Sequence, residues 1–257
     1  MAISYDSVAI LRNFSDRRGI HFPLLSDAGS KIIRSVGLLN ETVPKDSPFF
    51  GIPNPGTFIL DAKGVIKAKY FEEDYRERFT AADILTRQFG VVPTADRHEV
   101  IGKQLTAQAS ASNLVVRGGQ RVALVLEIEL KPKMHVYAPG VEGYIPIEWK
   151  MKESPAFKTR DVTLPPSKML HLAAIDETVP VYAGSFRIVR DITIAAEPAV
   201  KPLVDAAGKF TVEGTLRYQA CDDRMCYVPQ ELPVKWTFEL EGHDRERVPA
   251  QLQHKAQ

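Results

Sequence analysis

The residues of this chain best suited to redox chemistry are its two cysteines, Cys221 and Cys226, which stand five positions apart. A fully extended step of five residues spans about 16 Å, whereas a disulfide needs Cα atoms about 4.4–6.8 Å apart. Residues 222–225 must therefore turn the chain back on itself. A disulfide in so small a loop contributes only about 2 kcal/mol through chain entropy, so the pair is better suited to thiol–disulfide exchange than to stabilising a fold.

Three other interpretations of the cysteine pair stay open at this point. It could be a modest structural staple, two free thiols or half of a zinc site, although no second cysteine or histidine pair stands at ligand spacing. The histidines are scattered, without an i, i+4 pair and without serine and aspartate partners that spacing would unite into a triad. They are His21, His98, His135, His171, His243 and His254. We interpret them as structural or solvated, and we expect no metal and no cofactor.

The overall composition is that of an ordinary globular protein, and 257 residues are enough for two domains. Lys plus Arg number 33 against 32 for Asp plus Glu, so the net charge of +1 lacks the basic excess of a nucleic-acid binder. No apolar run approaches the roughly 18 residues that span a bilayer, and the first residues lack the basic and apolar regions of a signal peptide. We expect no nucleic-acid partner, no transmembrane segment and no signal peptide in this chain.

The first third of the chain alternates short strands with amphipathic helices. Short polar residues stand where helices should begin, and glycines stand where they should end. The expected elements are a strand at 2–5, a helix capped by Asp6 and Ser7 and ended by Gly19, a helix capped by Asp27, a hairpin at 56–70 and a helix from Thr80 to about Phe89.

From about residue 98 onward, apolar residues alternate with a period of two, as half-buried antiparallel strands require. The alternation is clearest at 122–130, 210–218 and 234–240, and Pro and Gly separate the runs. Short strands of this kind without a helical stretch predict a β-sandwich. Even-numbered residues of the second run are expected to face inward. Extending that pattern places Cys221 on the outward face, where another protein could reach it.

Two segments of the first third, 22–27 (FPLLSD) and 53–61 (PNPGTFILD), carry a resemblance to the peroxiredoxin-like AhpC/TSA branch of the thioredoxin folds. In that family a reactive cysteine lies at the first strand–helix junction, whereas residues 1–95 contain no cysteine. The resemblance therefore implies an incomplete thioredoxin-like domain without peroxidatic chemistry, which we attribute to a mis-assigned gene start or a cut chain. It also makes Pro55 a candidate for the family's cis-proline, with an ordinary loop proline as the alternative.

The surroundings of the cysteines resemble the N-terminal periplasmic domain of the thiol reductant transporter DsbD, over residues 98–240. The resemblance is carried by YQAC at 218–221, CYVP at 226–229, YIP at 144–146 and the pair Asp176 and Glu177 before Val181 and Tyr182. In that family an immunoglobulin-like sandwich takes electrons from a thioredoxin-like domain and passes them to periplasmic isomerases. The resemblance implies that the donor attacks Cys226, and that Cys221 resolves the mixed disulfide and engages the acceptor.

Two departures from the family pattern concern the protection of the cysteines. The loop between them has four residues, one fewer than in the best-known members. The family's cap loop places an aromatic residue beside an acidic pair, but here no aromatic residue follows Asp176 and Glu177 until Tyr182. The resemblance implies partner-binding or capping roles for Asp176, Glu177, Tyr182, Tyr218 and Tyr137. Simple packing is the alternative for Tyr182, Tyr218 and Tyr227.

These observations predict an α/β plus all-β protein. It would contain an incomplete thioredoxin-like domain at 1–92, an immunoglobulin-like β-sandwich at 97–242 and a polar, frayed tail at 243–257. The predicted function is thiol–disulfide exchange between a thioredoxin-like donor and disulfide-containing extracytoplasmic proteins. Because cytosolic thiols are kept reduced, we expect the parent protein outside the cytoplasmic membrane. A non-enzymatic, partner-binding sandwich with a structural disulfide and a fragment of a peroxiredoxin-like antioxidant protein remain as alternatives.

Overall fold

The computed structural model describes residues 1–71, 74, 76–92, 97–172 and 176–254. Two units can be distinguished in it, one formed by residues 1–75 with 244–257 and the other by residues 76–243. The helix that begins after Thr80 thus belongs to the second unit. The domain boundaries expected from the sequence, at residues 92 and 97, do not coincide with this division. That residues 1–92 and 97–242 fold as independent domains stays a prediction.

The first unit contains two helices and two separate two-stranded sheets. Its elements are β1 (Ala2–Ser4), α1 (Val8–Arg18), β2 (Leu24–Ser26), α2 (Lys31–Ser35), β3 (Gly56–Leu60) and β4 (Ile66–Phe71). β1 and β2 pair in parallel, and β3 and β4 form an antiparallel hairpin. The predicted order of elements is confirmed, whereas no strand pairing joins the two sheets within the part of this unit that the structure describes.

In the first unit, short polar side chains bind the starts of the helices, and a glycine in the left-handed conformation ends the first of them. Ser7 caps α1 by accepting a hydrogen bond from the Ile10 N–H at 3.4 Å, and Gly19 ends the helix in the αL conformation. At α2, the Asp27 carboxylate accepts a hydrogen bond from the Ile33 N–H at 2.8 Å. This bond holds the pKa of Asp27 below its ordinary value. The expected cap at Ser7 and the expected end at Gly19 are confirmed. At α2 the N-cap residue is Ser30 and not Asp27, although the Asp27 carboxylate still binds the first turn of the helix.

The segment 244–254 is held to the rest of the first unit by polar contacts. Arg17 pairs with Asp244 at 2.9 Å, and the His254 Nε2 atom lies 2.7 Å from Asp6 Oδ1. The expectation of a frayed, polar tail stays a prediction, although the structure gives these residues polar partners in the first unit. Isolated side-chain pairs leave no periodic pattern in a sequence, which is why inspection of the sequence could not detect this attachment.

The second unit is a β-sandwich that also contains two short helices. Its elements are β5 (Arg78–Phe79), α3 (Ala81–Phe89), β6 (His98–Ile101), β7 (Leu105–Ala111), β8 (Val115–Val116), β9 (Gln120–Leu130), β10 (His135–Tyr137), β11 (Glu148–Met151), β12 (Phe157–Thr163), β13 (Lys168–Leu172), β14 (Glu177–Ala183), β15 (Ser185–Ile194), α4 (Glu197–Val200), β16 (Lys209–Tyr218), β17 (Ala220–Cys221) and β18 (Gln230–Leu240). The longest helix described in either unit is α1 with 11 residues, so none of them has the length that crossing a bilayer requires.

The strands of the second unit form three sheets. The first has the order β12-β15-β9-β7-β6, with β5 paired in parallel to the start of β9, and the second has the order β11-β16-β18-β8. Between them the Trp236 Nε1–H donates to the Ser110 carbonyl at 2.9 Å. The even-numbered residues of β16 face the shared core, as predicted. The third sheet, β13-β14-β10-β17, was not expected from the sequence, and it carries both the cysteine region and the acidic pair.

Helix α3 buries a carboxyl group against the sandwich. Thr80 caps the helix by accepting a hydrogen bond from the Asp83 N–H at 3.0 Å. The Asp83 side chain is buried, its Oδ1 lies 3.4 Å from Arg87 Nε, and Arg87 also pairs with Asp191 on β15. Burial, and secondly the charge of Asp191, raise the pKa of Asp83 to about 7.

The substitution Asp83→Asn is expected to flatten the pH dependence of stability. In the folded protein Asp83 stays protonated up to a pKa of about 7, whereas in the unfolded chain a carboxyl of this type ionises near its usual pKa of about 3.9. Between these values the folded state holds more protons, so the wild-type free energy of unfolding falls as the pH rises. Thermal unfolding from pH about 4 to 8 measures the slope. The exposed carboxyl variant Asp16→Asn is the control, and equal slopes for wild type and Asp83→Asn would contradict the account.

Candidate redox site

Cys221 and Cys226 lie at the end of the third sheet and are joined by a disulfide. Cys221 is the last residue of β17, which pairs with β10 so that Cys221 stands opposite His135. The chain turns back through residues 222–225, and Cys226 forms an antiparallel bridge with Cys221 at a Cα separation of 4.0 Å. The prediction that these residues reverse the chain and allow a disulfide is confirmed.

The side chain of Asp222 organises this four-residue turn. Its Oδ1 accepts hydrogen bonds from the backbone N–H groups of Arg224 at 2.8 Å and Met225 at 2.9 Å, and its Oδ2 accepts one from the Tyr227 hydroxyl at 2.7 Å. The bond from Tyr227, followed by the two backbone bonds, lowers the pKa of Asp222. The same bond raises the pKa of Tyr227. The turn is therefore held by a carboxylate that stays ionised at neutral pH.

The two sulfur-bearing residues differ sharply in exposure. Cys221 is only 2% exposed and packs in a small cluster with Tyr137, whereas Cys226 is an exposed residue. The expectation that Cys221 faces outward is wrong. β16 ends at Tyr218, and Cys221 belongs to a different strand in a different sheet, so the alternation of β16 does not extend to it.

Two stacked tyrosines lie beside the disulfide. Tyr137 is buried, and its hydroxyl oxygen is 3.7 Å from Cys226 Sγ. Its ring stacks on that of Tyr144 with a centroid distance of 4.2 Å, and the Tyr144 hydroxyl donates to Glu177 Oε2 at 2.7 Å. The bond to Glu177 is the main cause that raises the pKa of Tyr144 to about 12. Tyr137 and Tyr144 thus form an aromatic pair beside the disulfide, and Glu177 holds the second ring.

For three other predicted site residues, the structure shows no contact with the cysteines among the residues it describes. Tyr182 and Tyr218 belong to the main core, where their hydroxyls donate to the Pro165 carbonyl at 3.1 Å and to Gln230 Oε1 at 2.7 Å. Core packing, the alternative interpretation, accounts for the position of both, and a capping role for them stays a prediction. Asp176 stands at the start of β14's hairpin with its side chain almost fully exposed.

Pro55 lies in the first unit, just before β3, and the described residues contain no cis peptide bond. The cis geometry implied by the family resemblance is therefore not present. The neighbouring Asn54 N–H donates to the Leu38 carbonyl at 2.7 Å, which fixes the chain as it approaches β3. Pro55 has the ordinary trans bond that was the alternative.

Three residues of the site were missed by reasoning from the sequence. Tyr144 belongs to the YIP segment, and only the structure shows that it stacks on Tyr137 and packs against the cluster that contains Cys221. Asp222 had a usable signal, because an aspartate that opens a tight turn commonly accepts hydrogen bonds from backbone groups two residues on. His135 had no signal, since its position depends on the pairing of β10 with β17.

The fold and the site define a class of protein, an all-β domain with a short-loop disulfide of which one cysteine is exposed and the other buried. The family profile described as thiol:disulfide interchange protein DsbD, N-terminal, matches residues 102–236. This match covers more than half of the chain, and the chain belongs to that family. The profile of the AhpC/TSA family matches residues 1–69.

Two solved structures are distantly similar to the chain. The N-terminal periplasmic domain of ScsB from Proteus mirabilis aligns with a TM-score of 0.37 and 16% identity, over 52% of this chain and 47% of that chain. The reduced N-terminal domain of DsbD from Neisseria meningitidis aligns with a TM-score of 0.27 and 14% identity, over 45% of this chain and 80% of that chain. The chain thus spans about half the length of the first structure. No curated protein sequence matches the chain.

The substitution Asp222→Ala is expected to speed reduction of the disulfide by dithiothreitol several-fold. The variant loses the acceptor for the Arg224 and Met225 N–H groups and for the Tyr227 hydroxyl, so the turn opens more readily. Asp223→Ala removes the same charge from the same turn and is the matched control. Rates are measured at neutral pH by quenching with an alkylating reagent and mass spectrometry. Equal rates for the two variants would contradict the role given to Asp222.

Proposed function

We propose that this chain carries out thiol–disulfide exchange through the Cys221/Cys226 pair. Electrons would enter from a thioredoxin-like dithiol and leave to disulfide-containing proteins outside the cytoplasmic membrane. The observation that carries the proposal is the asymmetry of the disulfide, in which an exposed Cys226 is joined in a small loop to a buried Cys221. Membership of a family described by thiol:disulfide interchange supports it.

In the proposed reaction Cys226 Sγ is the sulfur that the donor attacks. A donor thiolate forms a bond to Cys226 Sγ, the bond between the two cysteines breaks, and Cys221 Sγ leaves with the electron pair. The second donor thiolate then attacks the donor sulfur of the mixed disulfide, which releases Cys226 as a thiolate and leaves the donor oxidised. Exchange requires access to the attacked sulfur, so the exposed residue suits this step.

The electrons leave by the same chemistry in the opposite sense. The Cys226 thiolate attacks the acceptor disulfide, and Cys221 then attacks Cys226 Sγ, which closes the disulfide and frees the reduced acceptor. The family resemblance had implied that Cys221 both resolves the mixed disulfide and engages the acceptor. Its 2% exposure favours a resolving role instead, with Cys226 forming both mixed disulfides.

The groups around Cys226 are proposed to select its partners. The Tyr137 hydroxyl lies beside Cys226 Sγ, Tyr144 stacks on Tyr137, and the Tyr144 hydroxyl donates a hydrogen bond to Glu177. A partner sulfur must reach Cys226 past these rings. The exposed carboxylate of Asp176, next in sequence to Glu177, is proposed to contact the incoming partner.

For the first unit we propose a thioredoxin-like domain. The match of residues 1–69 to the AhpC/TSA family and the parallel pair of β1 and β2 support it. Residues 1–95 contain no cysteine, so we assign this part no redox step. An extracytoplasmic location is proposed for the whole chain, because a disulfide exchanging with other proteins needs a compartment in which disulfides persist.

Single-cysteine variants provide the test of the proposed roles. Each variant is activated as a mixed disulfide with thionitrobenzoate and mixed with a reduced thioredoxin that lacks its resolving cysteine. The Cys221→Ser variant, which keeps the exposed Cys226, is expected to form the protein–protein disulfide in high yield, and Cys226→Ser only slowly. Non-reducing gels and intact mass measure the yields. Equal yields, or none from either variant, would contradict the proposal.

A further inference from the structure

His135 is a buried imidazole on the same face of the third sheet as Cys221. It begins β10, and Cys221 is its direct partner across the antiparallel ladder. Side chains of directly opposed residues share a face, with Cβ atoms about 4.5–5.5 Å apart. The ring also packs edge-to-face on Tyr137 at a centroid distance of 5.6 Å. His135 therefore adjoins both Cys221 and the tyrosine that lies beside Cys226.

The imidazole has a nitrogen without a hydrogen-bond partner. His135 is 4% exposed, and its Nε2 atom is buried with no partner among the residues that the structure describes. Buried polar atoms are rarely left unpaired, so a group that appears during the working cycle is the natural candidate for this one. In the closed disulfide neither sulfur carries a proton. Reduction creates an S–H group on Cys221, directly across the ladder from His135.

The charges near His135 come from the turn and not from the neighbouring strand. The groups that face it are Tyr137 on β10, the uncharged Ala183 on β14, Cys221 on β17, and Asp223 and Asp222 in the turn. Burial lowers the pKa of His135, and the two carboxylates oppose this effect in part. The ring is thus neutral at pH about 7 while the disulfide is closed, and it is able to accept a proton.

We propose that His135 is the base for the buried cysteine: it takes the proton of the Cys221 thiol in the reduced protein and returns it in the reverse reaction. This inference rests on the proposed exchange function. It names His135 as the group that makes the sulfur of Cys221 reactive in the resolving step. A thiolate is the nucleophile in exchange, and burial alone disfavours a thiolate, so Cys221 needs such a group.

The proton and electron pair balance in each direction. In the resolving step the Cys221 thiol gives its proton to His135, and the resulting thiolate attacks Cys226 Sγ. A bond forms between the two cysteines, the bond from Cys226 to the acceptor sulfur breaks, and the acceptor sulfur leaves with the electron pair. As the disulfide closes, the imidazolium releases its proton to water and His135 is neutral again. In the opposite direction the donor thiolate attacks Cys226 and Cys221 leaves as a thiolate with the electron pair. His135 takes up a proton from water and passes it to the Cys221 thiolate.

The first test measures the pKa of the Cys221 thiol in the Cys226→Ser background, where it is the only cysteine. The ultraviolet absorbance of the thiolate is followed against pH with and without the further substitution His135→Gln. Losing the imidazolium is expected to raise the pKa of Cys221 by about 1–3 units. The exposed histidine variant His21→Gln is the control and should leave the value unchanged. An equal pKa with and without His135 would overturn the proposal.

A second measurement uses the unaltered protein, so it decides the matter even if His135→Gln fails to fold. The imidazole pKa of His135 is determined by nuclear magnetic resonance in the oxidised and the reduced protein. A rise on reduction is expected because the Cys221 thiolate stabilises the imidazolium, and an identical value in both states would overturn the proposal. Neither test uses a redox partner. If thioredoxin trapping fails although these tests show that His135 and Cys221 interact, only the proposed exchange function is contradicted.

Discussion

The pairing of β17 with β10 is the interaction on which the rest of the site depends. It consists of only two residue pairs, His135 with Cys221 and Val136 with Ala220. These pairs take the chain out of the sheet of β16 and into the third sheet, so that Cys221 turns into a small cluster with Tyr137. The return of the chain through the turn then leaves Cys226 at the surface. The unequal exposure of the two cysteines, and with it their division of roles, follows from this change of sheet.

Polar side chains around the disulfide stabilise the positions of the two cysteines and the neighbouring tyrosines. Asp222 accepts three hydrogen bonds and so fixes the turn that brings Cys226 back to Cys221. Because these bonds lower its pKa, the carboxylate is ionised at neutral pH. On the other side, Glu177 holds Tyr144 against Tyr137. The hydrogen-bonded turn and the tyrosine pair both adjoin the disulfide, and neither Asp222 nor the two tyrosines belong to the main core. A change in either should alter exchange more than it alters the stability of the sandwich.

Much of the fold could be predicted because its signals are local. Ser7 and Thr80 cap helices as their residue types suggest, and the long strands β9, β16 and β18 show the alternation that burial of one face imposes. The cysteine pairing was predictable for the same reason, since five-residue spacing forces a turn. Family resemblance supplied the acidic pair, and the family profile confirms membership over residues 102–236.

The remaining features could not be predicted because they depend on contacts between distant segments. β10 and β17 have three and two residues, too few to show a period, and the face of Cys221 is set by the strand it joins. Tyr182 and Tyr137 both lie in strands of the third sheet, yet only the structure shows that Tyr182 faces the main core. The position of His135 beside Cys221 follows only from the pairing of β10 with β17.

The reduction potential of the Cys221/Cys226 pair tests the central claim most directly. The wild-type protein is equilibrated in glutathione buffers of known ratio, and the fraction of dithiol is measured after rapid alkylation. An exchanging pair must have a reduction potential close enough to those of its partners for electrons to pass in both directions. We therefore expect a reduction potential above about −300 mV. A value well below about −300 mV would mark a structural disulfide and would contradict the account.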